Sequence, residues 1–346
     1  MSIEKVYLEL TNKCNLNCTM CYRNAWDYET SDMPGEVLEK CLKEINETSS
    51  IKEVVLGGIG EPTYAEEVER VMYALKDKYL TLTTNGTIMH PKMLETIVDT
   101  VDHLVISIDG NHDTFFSIRQ FPLDEIINNM KALNEYKKTR GRKTPAISVQ
   151  MVLSTSNKDQ VYEIIDIAES IQASQVIFSN ILPTSMEDSQ LVLYKLYENT
   201  EIQELFQGVR NYAFRSGLEV KFPAYQLKTD RRCRFIEDHT LVITATGDVT
   251  PCYRLAHDGS EVVFGRKKEI LAHTFGNIKE ESLREIWENS AYESFRSTVY
   301  NNHYPSCIDC ELVDGCDMVR STTADCYGVT PSCADCLWSR KIIYCV

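Results

Sequence analysis

The sequence has no long apolar run and no excess of basic residues. No stretch approaches the roughly 20 apolar residues of a membrane-spanning helix, and the N-terminal MSIEKVYLELTNK lacks the apolar core of a secretion signal. Its 36 basic and 51 acidic side chains give a net charge of -15, which disfavours nucleic acid and anionic membranes as partners. We therefore predict a cytoplasmic globular protein, better matched to a basic peptide than to either of these.

Cysteine is absent between residues 42 and 232 but abundant on both sides of that stretch. Of 13 cysteines, three lie at Cys14, Cys18 and Cys21, Cys41 stands alone, and nine lie in the last third of the chain. The reducing cytosol makes disulfides rare, so metal binding or redox chemistry is the usual reason for so many cysteines. Cys41, on a predicted helix, is most simply a buried apolar residue.

The middle of the chain alternates strand-like and helix-like segments. The predicted strands are residues 6–10, 53–58, 79–85, 103–110, 146–153 and 174–180. The predicted helices are residues 34–48, 64–77, 91–99, 122–139, 157–171 and 188–216. Six such units predict an α/β fold with a parallel sheet covered by helices, either doubly wound or curled into a partial or complete barrel. Helical periodicity fades after residue 215, so we predict one domain over residues 1–216 and a second over 217–346.

In parallel folds of this kind, ligands bind at the carboxyl ends of the strands. Strand 1 runs directly into Cys14, Cys18 and Cys21. If residues 14–21 wind helically, offsets of four and seven place the three thiols on one stripe. Three convergent thiolates suit either a zinc ion with one open position or a 4Fe-4S cluster in which one iron lacks a protein ligand.

Strands 2 and 3 end in turn sequences. GGIGEP, residues 57–62, contains Gly57, Gly58 and Gly60, which permit close backbone approach, followed by Glu61. TTNG ends strand 3, where Asn85 is either a turn residue or a polar contact.

Strands 4 and 5 end in polar side chains. Ser107 and Asp109 share one face of strand 4, and Gln150 lies near the end of strand 5. Polar groups at several strand ends predict a shared polar cavity.

These motifs together resemble the radical S-adenosylmethionine (SAM) family. The resemblance covers residues 5 to about 216 and consists of C-x3-C-x2-C after strand 1, a GGxGEP-like turn after strand 2, TNG after strand 3 and S-x-D-G after strand 4. It implies a partial (β/α)6 TIM-like barrel in which Cys14, Cys18 and Cys21 hold a 4Fe-4S cluster whose open iron chelates SAM. The family cleaves SAM reductively to a 5'-deoxyadenosyl radical that abstracts hydrogen, and it needs a low-potential electron donor such as flavodoxin or ferredoxin.

The resemblance also implies SAM contacts. Residues 57–61 would approach the methionyl amino group, while Ser107, Asp109 and Gln150 are candidates for the ribose or carboxylate. Met20 stands where the family usually has an aromatic residue against the adenine, so Tyr22 or another nearby group takes that contact.

The C-terminal cysteines form a second dense set. C-x2-C-x5-C spans Cys307, Cys310 and Cys316, and Cys326, Cys333 and Cys336 follow. Two CxxC pairs suit a four-thiolate zinc ribbon. The nine thiols of this region are closer in number to the ligands of two four-thiolate clusters than to those of one zinc ion.

This region resembles the SPASM extension of radical SAM maturases. The matching parts are Cys233, Gly247-x4-Cys252 after a hairpin-like segment, residues 275–290 and C-x2-C-x5-C. The resemblance implies one auxiliary 4Fe-4S cluster on Cys233, Cys252 and Cys326, and another on Cys307, Cys310, Cys316 and Cys336. Arg320 stands where the family's next cysteine is expected, which leaves Cys333, Cys345 or no protein group as the fourth ligand of the first cluster.

The predicted function is a net oxidation of a peptide or protein substrate. Auxiliary clusters either accept the electron of the substrate radical or serve structure alone, and we favour the first role. An oxidation needs a general base, for which Asp248 is a candidate that is equally suited to an ordinary turn. Residues 53–63 and 333–346 resemble maturases associated with tungsten-containing aldehyde oxidoreductases.

The sequence is also compatible with three other functions. One is a radical SAM dehydrogenase of a small molecule or cofactor precursor. The second is a multi-cluster electron carrier, and the third is a zinc-stapled binding module.

Overall fold

A computed structural model describes residues 2–26 and 29–344 of the chain. Its strands are β1 Lys5–Leu8, β2 Glu53–Leu56, β3 Tyr79–Thr84, β4 His103–Ser107, β5 Ala146–Leu153, β6 Gln175–Asn180, β7 Glu219–Lys221, β8 Thr240–Ile243, β9 Asp248–Thr250, β10 Gly259–Val263, β11 Arg266–Ile270 and β12 Gly276–Asn277. Its α-helices are α1 Gly35–Glu47, α2 Val68–Ala74, α3 Pro91–Thr100, α4 His112–Arg119, α5 Leu123–Thr139, α6 Val161–Ser170, α7 Thr200–Arg215, α8 Arg234–Glu237, α9 Leu283–Glu288 and α10 Ser290–Tyr300.

Ten of the strands form one sheet, in the order β12-β9-β8-β1-β2-β3-β4-β5-β6-β7, while β10 and β11 form an antiparallel pair. Strands β1 to β7 pair in parallel, and β1 also pairs in parallel with β8. Each of the six predicted strands is present, with ends that differ by a few residues from the prediction. The α/β partial barrel is therefore confirmed.

Side chains along β1 and β2 point alternately to the two faces of the sheet. Val6 and Leu8 of β1 join the large core beneath the helices. Tyr7 and Val55 pack instead with Val242 and Phe235 in a separate inner cluster. Because side chains of a strand point alternately to opposite faces, one side of the sheet binds the helices and the other faces the barrel interior.

Helix α1 shows why the predicted helices form. Its buried residues follow helical spacing along one face and pack into the large core: Val37, Leu38, Cys41, Leu42 and Ile45. Cys41 is fully buried there, and burial raises the pKa of its thiol to about 12. It behaves as an apolar core residue.

The sheet continues across the predicted domain boundary near residue 216. Beyond that point, β7 adds to β6 at one end of the parallel sheet and β8 adds to β1 at the other. The C-terminal segment also binds the end of β6, because Asn180 Nδ2 donates to the carbonyls of Ala224 (3.0 Å) and Ile342 (2.9 Å). Residues after 216 thus share both the sheet and its interior with the first part.

Two local features differ from the prediction. Helix α4 follows β4 but was not predicted, and the segment predicted as a helix from residue 188 has a short 3-10 turn at Asp188–Leu191 before α7 begins at Thr200. Within the described ranges, none of the helices combines the length and apolar character needed to cross a bilayer.

Candidate active site

A cavity of about 380 Å³ lies at the carboxyl ends of the barrel strands. The predicted site residues that line it are Cys14, Cys18, Cys21, Gly58, Gly60, Glu61, Asn85, Ser107 and Gln150. Gly57 and Asp109 were predicted there but do not line it.

The loop with the first three cysteines is not helical. Residues 14–21 have no regular helix, and a short 3-10 turn, Tyr22–Ala25, follows them. The expected helical stripe of thiols is therefore wrong. Contacts with neighbouring loops hold the segment, since Thr19 N donates to Ile118 O (2.9 Å) and Glu61 N donates to Lys13 O (2.8 Å).

Gly60 allows the turn after β2 to pack against this cysteine loop. A Cβ atom at residue 60 would lie 2.2 Å from the Thr11 carbonyl oxygen and 2.5 Å from that of Lys13. Both contacts are with backbone, which cannot move aside as a side-chain tip can. At Gly57, a Cβ would instead meet Thr83 Oγ1 at 2.6 Å, so that glycine permits packing within the sheet.

The Glu61 carboxylate joins the ends of β2 and β3. Its Oε1 accepts from the Thr63 backbone N–H (3.1 Å) and from the hydroxyls of Thr63 and Thr84 (2.6 Å each). Its Oε2 accepts from the Asn85 N–H (2.7 Å). Burial raises the pKa of Glu61, and these hydrogen bonds oppose that rise. The side chain is thus occupied by the protein itself.

Asn85 combines the two roles that the sequence left open. Its Oδ1 accepts from the Thr87 backbone N–H (3.0 Å), which closes a turn. Its Nδ2 donates to Asn15 Oδ1 (3.0 Å) and lies 3.9 Å from the Cys14 sulfur. Asn85 therefore supports the first thiol of the loop.

Arg119 provides the charge that faces the cavity near β4. Asp109 is fully buried, and its carboxylate accepts from Arg119 Nε (2.6 Å) and from the Val152 N–H (2.8 Å). The structure thus corrects the prediction of Asp109 as a direct ligand contact, because its oxygens are used within the protein. Arg119 lines the cavity. Burial raises the pKa of the Cys18 thiol to about 11, and the Arg119 charge is the first influence that opposes this rise.

Ser107 and Gln150 both line the cavity from adjacent strands. They are register partners at the ends of β4 and β5. This agrees with the predicted polar rim on these two strands.

Met20, Tyr22 and Trp26 line the cavity on the side of the cysteine loop. The Tyr22 hydroxyl donates to Glu261 (3.0 Å), and its ring meets Trp26 edge-on at 5.1 Å between centroids. Trp26 had no motif to indicate it, nor did Tyr253 and Trp338, which enter the cavity lining from the C-terminal part of the chain.

Asp248 lies in the β8–β9 hairpin and not in the cavity lining. Its carboxylate accepts from the Thr246 hydroxyl (2.7 Å) and from Asn277 Nδ2 (2.9 Å). We therefore correct the acid-base assignment: Asp248 is the first residue of β9, and its side chain connects this strand to β12.

Four C-terminal cysteines surround one small apolar cavity of about 20 Å³. We call this set, Cys233, Cys252, Cys333 and Cys336, the proximal cage. Burial raises the pKa of the Cys233 thiol to about 12, and the neighbouring Cys336 adds to the rise. The four donors are thus preassembled on one cavity.

The remaining thiols form a distal group, Cys307, Cys310, Cys316 and Cys326. Burial raises the pKa of Cys307 to about 12, and Cys326 and Cys316 lie close enough to add to the rise. Cys310 belongs to the same turn, because its N–H donates to the Cys307 carbonyl (3.5 Å).

This grouping differs from the predicted ligand sets. Cys336 lines the cavity of the proximal cage with Cys233, and Cys326 contributes, after burial, to the raised pKa of Cys307. The reason is a buried ion pair: Asp335, between Cys333 and Cys336, binds Arg254, two residues beyond Cys252 (3.1 Å). Cys345, the other suggested ligand, lies outside the described residues.

The first three thiols line one cavity, and the four thiols of the proximal cage line another. Within residues 2–26 and 29–344, no three Cys, His, Asp or Glu side chains surround one point as a single-ion site requires. In an iron-sulfur cluster, cysteine thiolates are the usual ligands.

Comparisons with known proteins decide the family. The radical SAM superfamily profile matches residues 8–168, and the profile of SPASM, an iron-sulfur cluster-binding domain, matches residues 233–311. The chain is 35% identical to the tungsten-containing aldehyde ferredoxin oxidoreductase cofactor-modifying protein of Pyrococcus furiosus, over 98% of this chain and 96% of that protein. The chain belongs to the radical SAM superfamily. It is an enzyme of that superfamily with a SPASM domain, and its cofactors are iron-sulfur clusters and SAM.

Other relatives agree with this assignment. The AdoMet-dependent heme synthase of Methanosarcina barkeri is 27% identical over 83% of this chain and 82% of that protein. Among solved structures, Streptococcus suis SuiB bound to S-adenosylmethionine superposes with a TM-score of 0.64 at 17% identity, over 92% of this chain and 72% of SuiB. SuiB bound to the precursor peptide SuiA gives a TM-score of 0.63 at 16% identity, over 97% of this chain and 76% of that one. The predicted family and cofactors are thus confirmed, and the zinc-module and simple electron-carrier alternatives are set aside.

Gly60→Ala is expected to destabilise the protein by about 1–3 kcal/mol and to reduce the iron bound by the first three cysteines, because the new methyl group forces two loops apart. Urea denaturation and iron analysis of the anaerobically reconstituted protein measure both effects. Gly35→Ala is the matched control, since nothing lies within 4 Å of its Cβ position. Equal stability of the two variants would contradict this account of the turn.

Cysteine replacements test the two ligand groups. Cys333→Ala is expected to remove the same electron paramagnetic resonance (EPR) signal as Cys233→Ala, because both thiols line the proximal cage. Cys326→Ala is expected to remove the other auxiliary signal. Loss of the Cys233-dependent signal in the Cys326 variant would show that the grouping is wrong.

Proposed function

We propose that the protein is a radical SAM maturase that abstracts hydrogen from a peptide or protein substrate and oxidises it. The bound cluster and SAM supply the hydrogen-abstracting radical of this family. The protein supplies the binding, the orientation and the route by which an electron leaves.

The position of the proximal cage is the observation that carries the oxidative assignment. Trp338 lines both the active-site cavity and the small cavity of the proximal cage. Tyr253 lines the active-site cavity and directly follows Cys252 of the cage. One layer of side chains therefore separates a substrate from an electron acceptor, which favours oxidation over a purely structural role for the cage.

The residues around the first three cysteines are suited to hold SAM. The backbone of residues 58–61 faces the cavity and would take the methionyl amino group, since the Glu61 side chain is already occupied. Arg119, held by Asp109, offers a positive charge for a carboxylate, and Ser107 and Gln150 offer neutral polar groups for the ribose. Met20, Tyr22 and Trp26 offer apolar surface for the adenine.

The cavity favours an uncharged part of a substrate. Of its charged lining residues, Glu61 is hydrogen-bonded within the protein and Arg119 would face the SAM carboxylate, so neither is left for the substrate. Aromatic residues from several segments contribute much of the remaining surface: Tyr7, Trp26, Tyr253, Trp338 and Tyr344. A polypeptide side chain suits such a lining, and the net charge of -15 suits a basic polypeptide. A reduced flavodoxin or ferredoxin in the cytoplasm would supply the electron for SAM cleavage.

The second candidate is modification of a small-molecule cofactor. It is favoured by the Pyrococcus furiosus relative, whose name describes cofactor modification and whose similarity spans 98% of this chain. In both candidates the client would be a tungsten-containing oxidoreductase.

The first test is SAM cleavage by anaerobically reconstituted protein with a low-potential reductant. We expect formation of 5'-deoxyadenosine, and its loss by at least 100-fold in the Cys14→Ala/Cys18→Ala/Cys21→Ala variant, which keeps both auxiliary groups of thiols. Cys41→Ala is the matched control, because that thiol lies in the helix core. Unchanged cleavage in the triple variant would contradict the proposal.

The substrate is then identified by mass spectrometry. The enzyme is incubated with the cofactor-free polypeptide of a tungsten-containing aldehyde oxidoreductase or with its isolated tungsten cofactor. Loss of two hydrogens from the polypeptide, in step with 5'-deoxyadenosine formation, supports the maturase. A change confined to the cofactor supports the second candidate.

A further inference from the structure

Arg254 lies at the centre of a buried set of charges beside the proximal cage. Its side chain is 2% exposed, and its Nε donates to Glu261 Oε2 at 3.0 Å. Its Nη2 donates to Asp335 Oδ1 at 3.1 Å. The guanidinium is therefore fixed in orientation by two carboxylates, one seven residues away in the sequence and one 81 residues away.

The carboxylates of Glu261 and Asp335 each accept a further hydrogen bond with their second oxygen. Glu261 Oε1 accepts from the Tyr22 hydroxyl (3.0 Å), and Asp335 Oδ2 accepts from Lys268 Nζ (2.9 Å). Two cations thus balance two anions inside this network.

One N–H group of Arg254 stays available. Nη1 is buried and has no hydrogen-bond acceptor in the part of the chain that the structure describes. Leaving a charged donor buried without an acceptor is costly, so an acceptor from a bound group is expected. Arg254 lines the same small cavity as the four thiols of the proximal cage.

We propose that Arg254 Nη1 donates a hydrogen bond to sulfur of the iron-sulfur cluster in the proximal cage and raises the reduction potential of that cluster. One-electron reduction adds a negative charge to the cluster, and a nearby cation with an N–H donor stabilises the more negative state. Net charge and hydrogen bonds to sulfur are two of the factors that set such potentials. Glu261 and Asp335 are positioning residues, because they orient the guanidinium.

The effect of Arg254 on the reaction rests on the proposed oxidative function. After hydrogen abstraction, the substrate radical would give one electron to the oxidised proximal cluster and one proton to water, which forms the oxidised product. The reduced cluster would then return its electron to an external acceptor of the ferredoxin class. A higher potential makes the first transfer more favourable.

The test is an EPR redox titration of the full-length protein in the Cys14→Ala/Cys18→Ala/Cys21→Ala background, where only the auxiliary clusters remain. The probe is the ratio of reduced to oxidised proximal cluster at the potential where the parent is half reduced. Arg254→Gln is expected to lower that ratio at least tenfold, which corresponds to about 59 mV for a one-electron couple. The signal of the distal group is expected not to shift.

Two further variants separate charge from folding. Glu261→Gln keeps Arg254 and removes a negative charge. The ratio of reduced to oxidised proximal cluster is therefore expected not to fall in this variant. Arg254→Gln/Glu261→Gln leaves the Lys268–Asp335 pair balanced and is expected to show a smaller fall than Arg254→Gln alone, because the lost negative charge offsets part of the lost positive charge while the hydrogen-bond donor is still removed. It provides the measurement if the single variant does not fold.

An unchanged ratio in the Arg254 variants with full iron content would overturn the proposal. Loss of the proximal cluster from both Arg254 variants would overturn it too, because it would indicate a role in assembly only. Substrate oxidation is measured separately on the wild-type enzyme. A shifted potential without substrate oxidation would support the proposed role of Arg254 and contradict the proposed function. Substrate oxidation with an unchanged potential would support the proposed function and contradict the role of Arg254.

Discussion

The first three cysteines are carried by a loop without helix or strand, so their arrangement depends on what packs against that loop. The turn after β2 approaches it at backbone distance through Gly60, and the Glu61 N–H donates to it. The Glu61 carboxylate in turn joins this turn to the end of β3. The site is therefore built by contacts between strand ends. A backbone fixed in this way can present three thiols to one cavity and leave a metal position open.

The C-terminal part completes the same site and does not stand apart from it. Strand β8 pairs with β1, the strand that leads into the cysteine loop. Tyr22, next to Cys21, reaches Glu261, and Glu261 binds Arg254 beside the proximal cage. The two thiol-rich ends of the sequence are thus connected through one buried hydrogen-bonded network. This network connects the cysteine loop with the proximal cage.

The sequence was sufficient for features that depend on local patterns. The six strand-helix units follow from apolar runs and helical periodicity, and the cysteine spacing indicated three thiols that do line one cavity. The sequence was insufficient where the contacts of a side chain depend on residues far away in the chain. Asp109 is occupied by Arg119 on α4, whose eight-residue helix has only weak periodicity. Cys336 joins Cys252 because Asp335 binds Arg254, a pairing of residues 81 positions apart that no spacing rule contains.

The most direct test of the account is EPR spectroscopy of the reduced, anaerobically reconstituted wild-type protein with and without SAM. An open iron in the cluster on Cys14, Cys18 and Cys21 predicts that SAM changes the signal of that cluster and leaves the auxiliary signals as they are. A spectrum that is identical with and without SAM would contradict the central claim.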